Sequence, residues 1–340
     1  MRPASTRGRG VRAADAGNES GVDDRHRQPR RDWHGLKRHV KRLLSLRLPH
    51  AILRVVVRIV PSLRSGGRLP APARLGEVGG EAAGAAFVML HPDRCIIAKE
   101  LYWGGGSRPA AEDQFAIELF AHAARRSDVV VDIGAYTGLF TVAAARANPT
   151  VEAHAFEIVP ENFRAMLENC VRNDILDRVT LHHEGIGAPG RRIRVPTGSG
   201  GSALPDFHSA EMPAHDGVRV RLTSLDALAE RLPAGARVAM KIDVEGTEAD
   251  VLRHGQRFLA RFRPLILCEV LPEADGGALE ALLRPHGYRF SVVREHSLAR
   301  TSGIVPDPAY RDWLFAPPGQ TGAAPIPAPS AARRPPAFAG

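Results

Sequence analysis

The densest apolar run in the chain is Val129-Val130-Val131-Asp132-Ile133, four β-branched residues around one aspartate. A run that is apolar on both faces reads as a buried strand of a parallel sheet. Gly134 and Gly138 end it, and an alanine-rich helical stretch follows over 139–145. Upstream, 112–126 repeats Phe115, Leu119 and Phe120 at helical spacing. Downstream, 151–157 alternates as a strand. Pro160 then opens a helix over 161–173, with Phe163, Met166, Leu167 and Cys170 on one face. Strands are expected at 179–183, 191–196, 218–222, 238–243 and 265–270. Helices are expected at 225–232, 248–254 and 278–286. The late strands 288–293 and 312–316 read as an antiparallel closing pair. Strands alternating with helices in this way predict an α/β fold: a mostly parallel, doubly wound sheet with an antiparallel closing strand.

The flanks read differently. Residues 1–32 lack periodicity and are expected to be disordered. Residues 33–63 mix basic and apolar positions. They fit a basic amphipathic helix on an anionic membrane, or a helix packed on the folded domain. Gly and Pro in 65–84 read as a linker, and 317–340 as a disordered Pro/Ala-rich tail. The apolar runs 86–90 and 95–98, split by His91-Pro92-Asp93-Arg94, predict a β-hairpin. The glycines 104–106 read as a flexible joint. The expected organisation is a basic extension (1–64), a linker (65–84), one folded domain (85–316) and a tail (317–340).

Charge sharpens this division. Residues 1–42 hold 12 Lys/Arg against 5 Asp/Glu, whereas the rest hold 34 against 32. The basic balance belongs to the extension, so the domain shows no nucleic-acid footprint. Three scattered cysteines, Cys95, Cys170 and Cys268, mark neither a disulfide framework nor a zinc site. With no readable signal peptide and no long apolar segment, a cytoplasmic protein is expected.

The candidate chemistry sits at strand ends. The turn after Val129–Ile133 aims helix N–H groups at a ligand, and its glycines allow close approach. It reads Asp132-x-Gly134-x-x-x-Gly138 and lacks the middle glycine of the dinucleotide fingerprint. Glu157 ends the next strand, where a carboxylate can accept from both ribose hydroxyls. The stretch Lys241-Ile242-Asp243-Val244-Glu245-Gly246-Thr247-Glu248 then crowds three acids beyond a strand end beside the first. Burying them is costly without partners, and Lys241 is a plausible one. Asp243 or Glu245 is the expected proton acceptor, with His183 a rival. Glu248 reads as a helix N-terminal acid. Asp243, Glu245 and Glu269 could group around a divalent cation, but no spacing rule supports it, and no metal is expected.

The D-x-G-x-x-x-G turn resembles motif I of class I S-adenosylmethionine-dependent methyltransferases. Phe156-Glu157-x-x-Pro160-Glu161-Asn162, Leu225-Asp226, Lys241-Ile242-Asp243-Val244-Glu245-Gly246-x-Glu248 and Val251-Leu252 follow in order. Together they resemble the FkbM family of methyltransferases over about residues 85–316. The resemblance implies a Rossmann-like sheet, S-adenosyl-L-methionine as methyl donor, and a hydroxyl acceptor on a sugar, glycolipid or secondary metabolite. By position it implies cofactor contacts at Asp132, Gly134, Tyr136, Thr137, Gly138, Glu157 and Asp243, and a signature role for Asp243 with Glu245. Tyr136 stands where the family often has asparagine, which puts the contacts to the methionine carboxylate in question.

Two other classes compete with this reading. An NAD(P)-dependent oxidoreductase would need the missing glycine spacing and a proton-relay pair. A non-catalytic cofactor-binding protein would bind without turnover. No amide-binding N-P-P-Y motif supports nucleic-acid methylation. The expected partners are a small-molecule or glycan acceptor and weak membrane-surface contact through the basic extension. Oligomeric state is not legible in the sequence.

Overall fold

A computed structural model describes residues 40, 43–60, 69–72, 74–197 and 217–319. The segments read as disordered, 1–32 and nearly all of 317–340, lie outside the described residues. So does most of the loop after residue 197.

The first described helix, α1 (Arg47–Ile59), packs Leu53 and Val57 against Trp103. Strands β1 (Glu77–Ala82) and β2 (Ala85–Leu90) then form an antiparallel hairpin. Its turn, Ala83 and Gly84, has φ of 50° and 72°, the two positive values a tight hairpin turn needs.

This corrects two expectations. β1 lies inside the stretch read as linker, and β2 pairs backwards with it rather than forwards with 95–98. Residues Ile96–Gly104 are a helix, α2, capped by the Cys95 thiol 3.5 Å from the Ala98 N–H. Short apolar runs do not distinguish strand from helix by periodicity. β1, with two glycines in EVGGEA, lacks the usual strand composition. Gly80 is needed there, because a Cβ would lie 2.5 Å from the Phe87 ring.

Helix α3 (Ala111–Ala124) leads into the central sheet. The sheet holds β3 (Val129–Ile133), β4 (Glu152–Phe156), β5 (Val179–His182), β9 (Val238–Ile242), β10 (Leu265–Glu269), β11 (Arg289–Val293), β12 (Leu298–Thr301) and β13 (Asp312–Ala316). Their order is β12-β11-β13-β10-β9-β3-β4-β5. β5 through β10 run parallel; β13 is antiparallel to both β10 and β11. The closing pair and the neighbourhood of β3 and β9 are as expected, and β12 is an addition. β3 and β9 are buried at every position, the pattern of strands covered on both faces.

A small second sheet, β6 (Gly185–Ile186), β7 (Arg192–Val195) and β8 (Val218–Thr223), packs Ile193, Val195, Val220 and Leu222 against Val159.

Helices α4 (Leu139–Ala147) and α5 (Pro160–Arg172) cover one face together with the hairpin. α5 buries Asn162, Ala165, Met166, Asn169 and Cys170, whereas Leu167 is exposed. The expected apolar face is thus rotated, because the hairpin docks on its asparagines. Asn169 and Asn173 accept from the Leu90 and Val88 N–H groups at 2.8 and 2.9 Å. Asn173 donates to the Val88 carbonyl at 2.7 Å. The exposed edge of β2 is satisfied by side chains instead of another strand. The other face carries α6 (Leu225–Ala229), α7 (Glu248–Arg253), α8 (Gln256–Phe262) and α9 (Gly276–Leu283).

Candidate functional site

The chain order reverses between β3 and β9, so a crevice opens beyond their carboxyl ends, where open α/β sheets bind ligands. A cavity of ≈ 260 Å³ occupies this place. Its two ends differ in construction.

One end is backbone. Gly134 turns the chain at φ 78°, and its N–H donates to the Phe156 carbonyl at 3.0 Å. A Cβ at Gly134 would lie 1.7 Å from the Asp243 carbonyl oxygen. A Cβ at Gly138 would lie 2.9 Å from the Met166 side chain. A side chain at either glycine would therefore collide with neighbouring protein. Tyr136 follows at φ 52°, a conformation costly for a non-glycine residue and concentrated at functional sites. Its N–H donates to Glu157 at 2.8 Å, and the Val159 N–H donates to the other Glu157 oxygen at 2.7 Å. Glu157 is buried at the end of β4, and burial pushes its carboxyl up to about 7. Phe156, Ile158, Val159, Ile186 and Leu222 line this end with apolar surface.

The other end is charge. Lys241 is 2% exposed on β9, with its ammonium 3.2 Å from Asp243 and 3.3 Å from Asp312. Burial alone would lower its pKa, but the neighbouring Asp243 and Asp312 carboxylates outweigh that and hold it charged. Glu245, at φ 55°, is raised to about 7 by burial, then by repulsion from Asp243 and Glu248. Glu269 is raised to about 10 by burial and by Asp243, so it holds a proton at neutral pH. Burial also raises Asp312. Arg108 enters the wall clamped to Glu100 and Asp113, each at 2.7 Å.

Of the residues expected from sequence, Gly134, Tyr136, Glu157, Asp243 and Glu245 line the cavity together. Asp132, Thr137 and Gly138 lie outside its lining. Asp132 is buried behind the turn, where it accepts from the Thr141 N–H at 3.0 Å and hydroxyl at 2.6 Å. It caps α4, whose N-cap Gly138 has no side chain to do so. Thr137 is fully buried against Cys95, and its carbonyl accepts from Asn169. His183 is exposed, bonded to the Ile158 carbonyl at 3.1 Å, and is not part of the cavity lining. Glu248 accepts from the Gly246 N–H at 2.9 Å and braces the loop.

Sequence reasoning did not single out Arg108, Asp113 or Asp312. Asp312 carried a usable signal. It opens a buried strand, and an antiparallel strand starts where its parallel neighbours end, so it faces Glu269 in register. Asp243, Glu245 and Glu269 can each place one oxygen within 4.8 Å of the others, close enough for one cation. The Lys241 ammonium already supplies positive charge beside them.

An adenosyl cofactor needs an acceptor for its ribose hydroxyls and an apolar slot for its base. Glu157 retains lone pairs beyond the two backbone N–H groups it accepts, and the apolar wall adjoins it. The residues present fit such a group.

The profile of the methyltransferase FkbM domain matches residues 132–290. A "31-O-demethyl-FK506 methyltransferase FkbM" from Streptomyces tacrolimicus is 30% identical over 258 residues, covering 67% of this chain and 89% of the relative. A solved structure of a methyltransferase FkbM from Methylobacillus flagellatus KT is 18% identical, covering 56% of this chain and 43% of that one, with a TM-score of 0.37. A Bacillus cereus O-methyltransferase, solved in complex with SAH, is 12% identical, covering 60% of this chain and 78% of that one, with a TM-score of 0.34.

Proposed function

The chain belongs to the FkbM family of S-adenosylmethionine-dependent methyltransferases, and from that premise we propose that it methylates a hydroxyl oxygen of a sugar, glycolipid or secondary metabolite. The observation that carries this reading is the buried charge cluster at the end of β9, which lines the same cavity as Glu157. A hydroxyl attacking a methyl carbon must lose its proton, and the cluster can take one. The similar Streptomyces protein, whose name places its methyl group on an oxygen, supports the same choice of atom.

Glu157 would hold the ribose, and the turn at Gly134 and Tyr136 the methionine part. When bound, S-adenosylmethionine supplies a methyl group on a positively charged sulfur. Asp243 orients the acceptor hydroxyl and accepts its proton, with Glu245 as the adjoining carboxylate. Lys241 fixes Asp243 in place through its ion pair. Protonated Glu269 donates to an oxygen, either that of Asp243 or of the acceptor.

Incubation with methyl-labelled S-adenosylmethionine and a panel of sugars, glycolipids and polyketides tests the reading. It expects label on an ether oxygen, located by carbon NMR. Label on nitrogen or carbon would overturn it.

A further inference from the structure

Helix α1 presents a face that the folded domain leaves open. Its inner side is anchored: Leu53 and Val57 pack on Trp103, and His50 bonds to the Tyr102 hydroxyl at 2.8 Å. The outer side carries Ile52, Val55, Val56 and Ile59, which are 67%, 54%, 39% and 75% exposed. Spacings of three, four and seven residues place these four on one helical stripe. Leaving so much aliphatic surface in water is unfavourable, and contiguous patches of this kind mark contact sites.

Charge identifies the contact. Arginine recurs at positions 47, 54 and 58, and Arg54 is exposed. From residue 33 to residue 76 the sequence has ten Lys/Arg and not one Asp or Glu. We propose that α1 lies in the interface of an anionic lipid bilayer, with Ile52, Val55, Val56 and Ile59 among the acyl chains and the basic residues at the headgroups. This is how a short amphipathic helix with a basic flank binds membranes without crossing them. No described helix is long and apolar enough to cross one.

A second copy of the chain fits less well. A two-fold contact would bring each acid-free segment against its own image, and like charges would meet. The remainder of the chain is near neutral in net charge. The site has a consequence for the cavity. α1 rests on Tyr102 and Trp103 of α2, and the same helix carries Ile96 and Ile97 into the cavity wall. The docking face and the cavity thus share one element.

The full chain should float with phosphatidylcholine vesicles containing phosphatidylglycerol and not with pure phosphatidylcholine vesicles. Raising salt should weaken the binding, because headgroup attraction is screened. The triple variant Ile52→Ser, Val56→Ser, Ile59→Ser should lose at least about tenfold in partitioning. Conservative replacement of the three by leucine should retain it. An environment-sensitive dye on Ile52→Cys should shift to the blue on anionic vesicles, whereas one on Val305→Cys, 74% exposed, should not. Unchanged flotation of the serine variant would assign binding to the basic extension alone and overturn the proposal. A dimer in sedimentation that the serine variant dissolves, with no flotation of either form, would make the face a contact between copies.

Discussion

The two ends of the cavity are built by opposite means. The Gly134–Glu157 end is shaped by backbone fit. Missing Cβ atoms let the turn after β3 sit on the Asp243 carbonyl, and a buried carboxylate ties Tyr136 to Val159. The Asp243–Asp312 end is held by charge, with one buried ammonium among several acids. Changes at the first end should therefore be felt as stability and cofactor affinity, and changes at the second as stability and proton handling. Yet the two touch, since Gly134 packs on the Asp243 backbone. A lesion in the turn moves the chemistry as well.

Gly134→Ala should do the most damage. Its Cβ would meet a backbone oxygen that cannot rotate away, at a φ that already disfavours alanine, so a loss of more than about 4 kcal/mol is expected in urea unfolding. Normal stability with only weakened cofactor binding would show that the glycine serves the ligand after all.

Lys241→Met should cost about 3 kcal/mol, because Asp312 and the partly exposed Asp243 lose their shared cation. If stability is unaffected while activity disappears, Lys241 is not the support assigned to it here.

Glu157→Gln should weaken binding of S-adenosylhomocysteine by about 1 to 3 kcal/mol in calorimetry. Unchanged affinity in the folded variant would take Glu157 out of the site.

A further effect is with pH. Glu157 titrates near 7 in the folded protein against an ordinary 4.5. Its contribution to stability is therefore full below about 4.5 and lost as pH rises through about 7. Cofactor affinity should move the other way, rising through about 7 as the acceptor becomes charged. Glu157→Gln should flatten that rise, whereas Glu245→Gln should leave it in place.

The parallel sheet was legible because its strands are long apolar runs and its turns carry glycine or acids at strand ends. Asp243, Glu245 and Glu157 were visible for the same reason. The resemblance implies cofactor contacts at Asp132, Thr137 and Gly138, because sequence gives their place on the turn but not the direction that the Asp132 and Thr137 side chains take. Asp132 points back to cap α4, and Thr137 points into the core. The hairpin was misread because its edge is completed by asparagines from α5, 79 and 85 residues further on. Arg108 and Asp113 reach the cavity only through tertiary packing.

The central claim is that the charged end moves the proton while the backbone end holds the cofactor. Asp243→Asn tests it most directly, since the change keeps the shape and removes the charge. Single-turnover transfer of labelled methyl to an identified acceptor, alongside calorimetry of S-adenosylhomocysteine, separates the two roles. The account predicts a rate about 10²-fold lower with cofactor affinity nearly unchanged. Equal turnover by the two proteins, or loss of cofactor affinity that accounts for the whole defect, would contradict it.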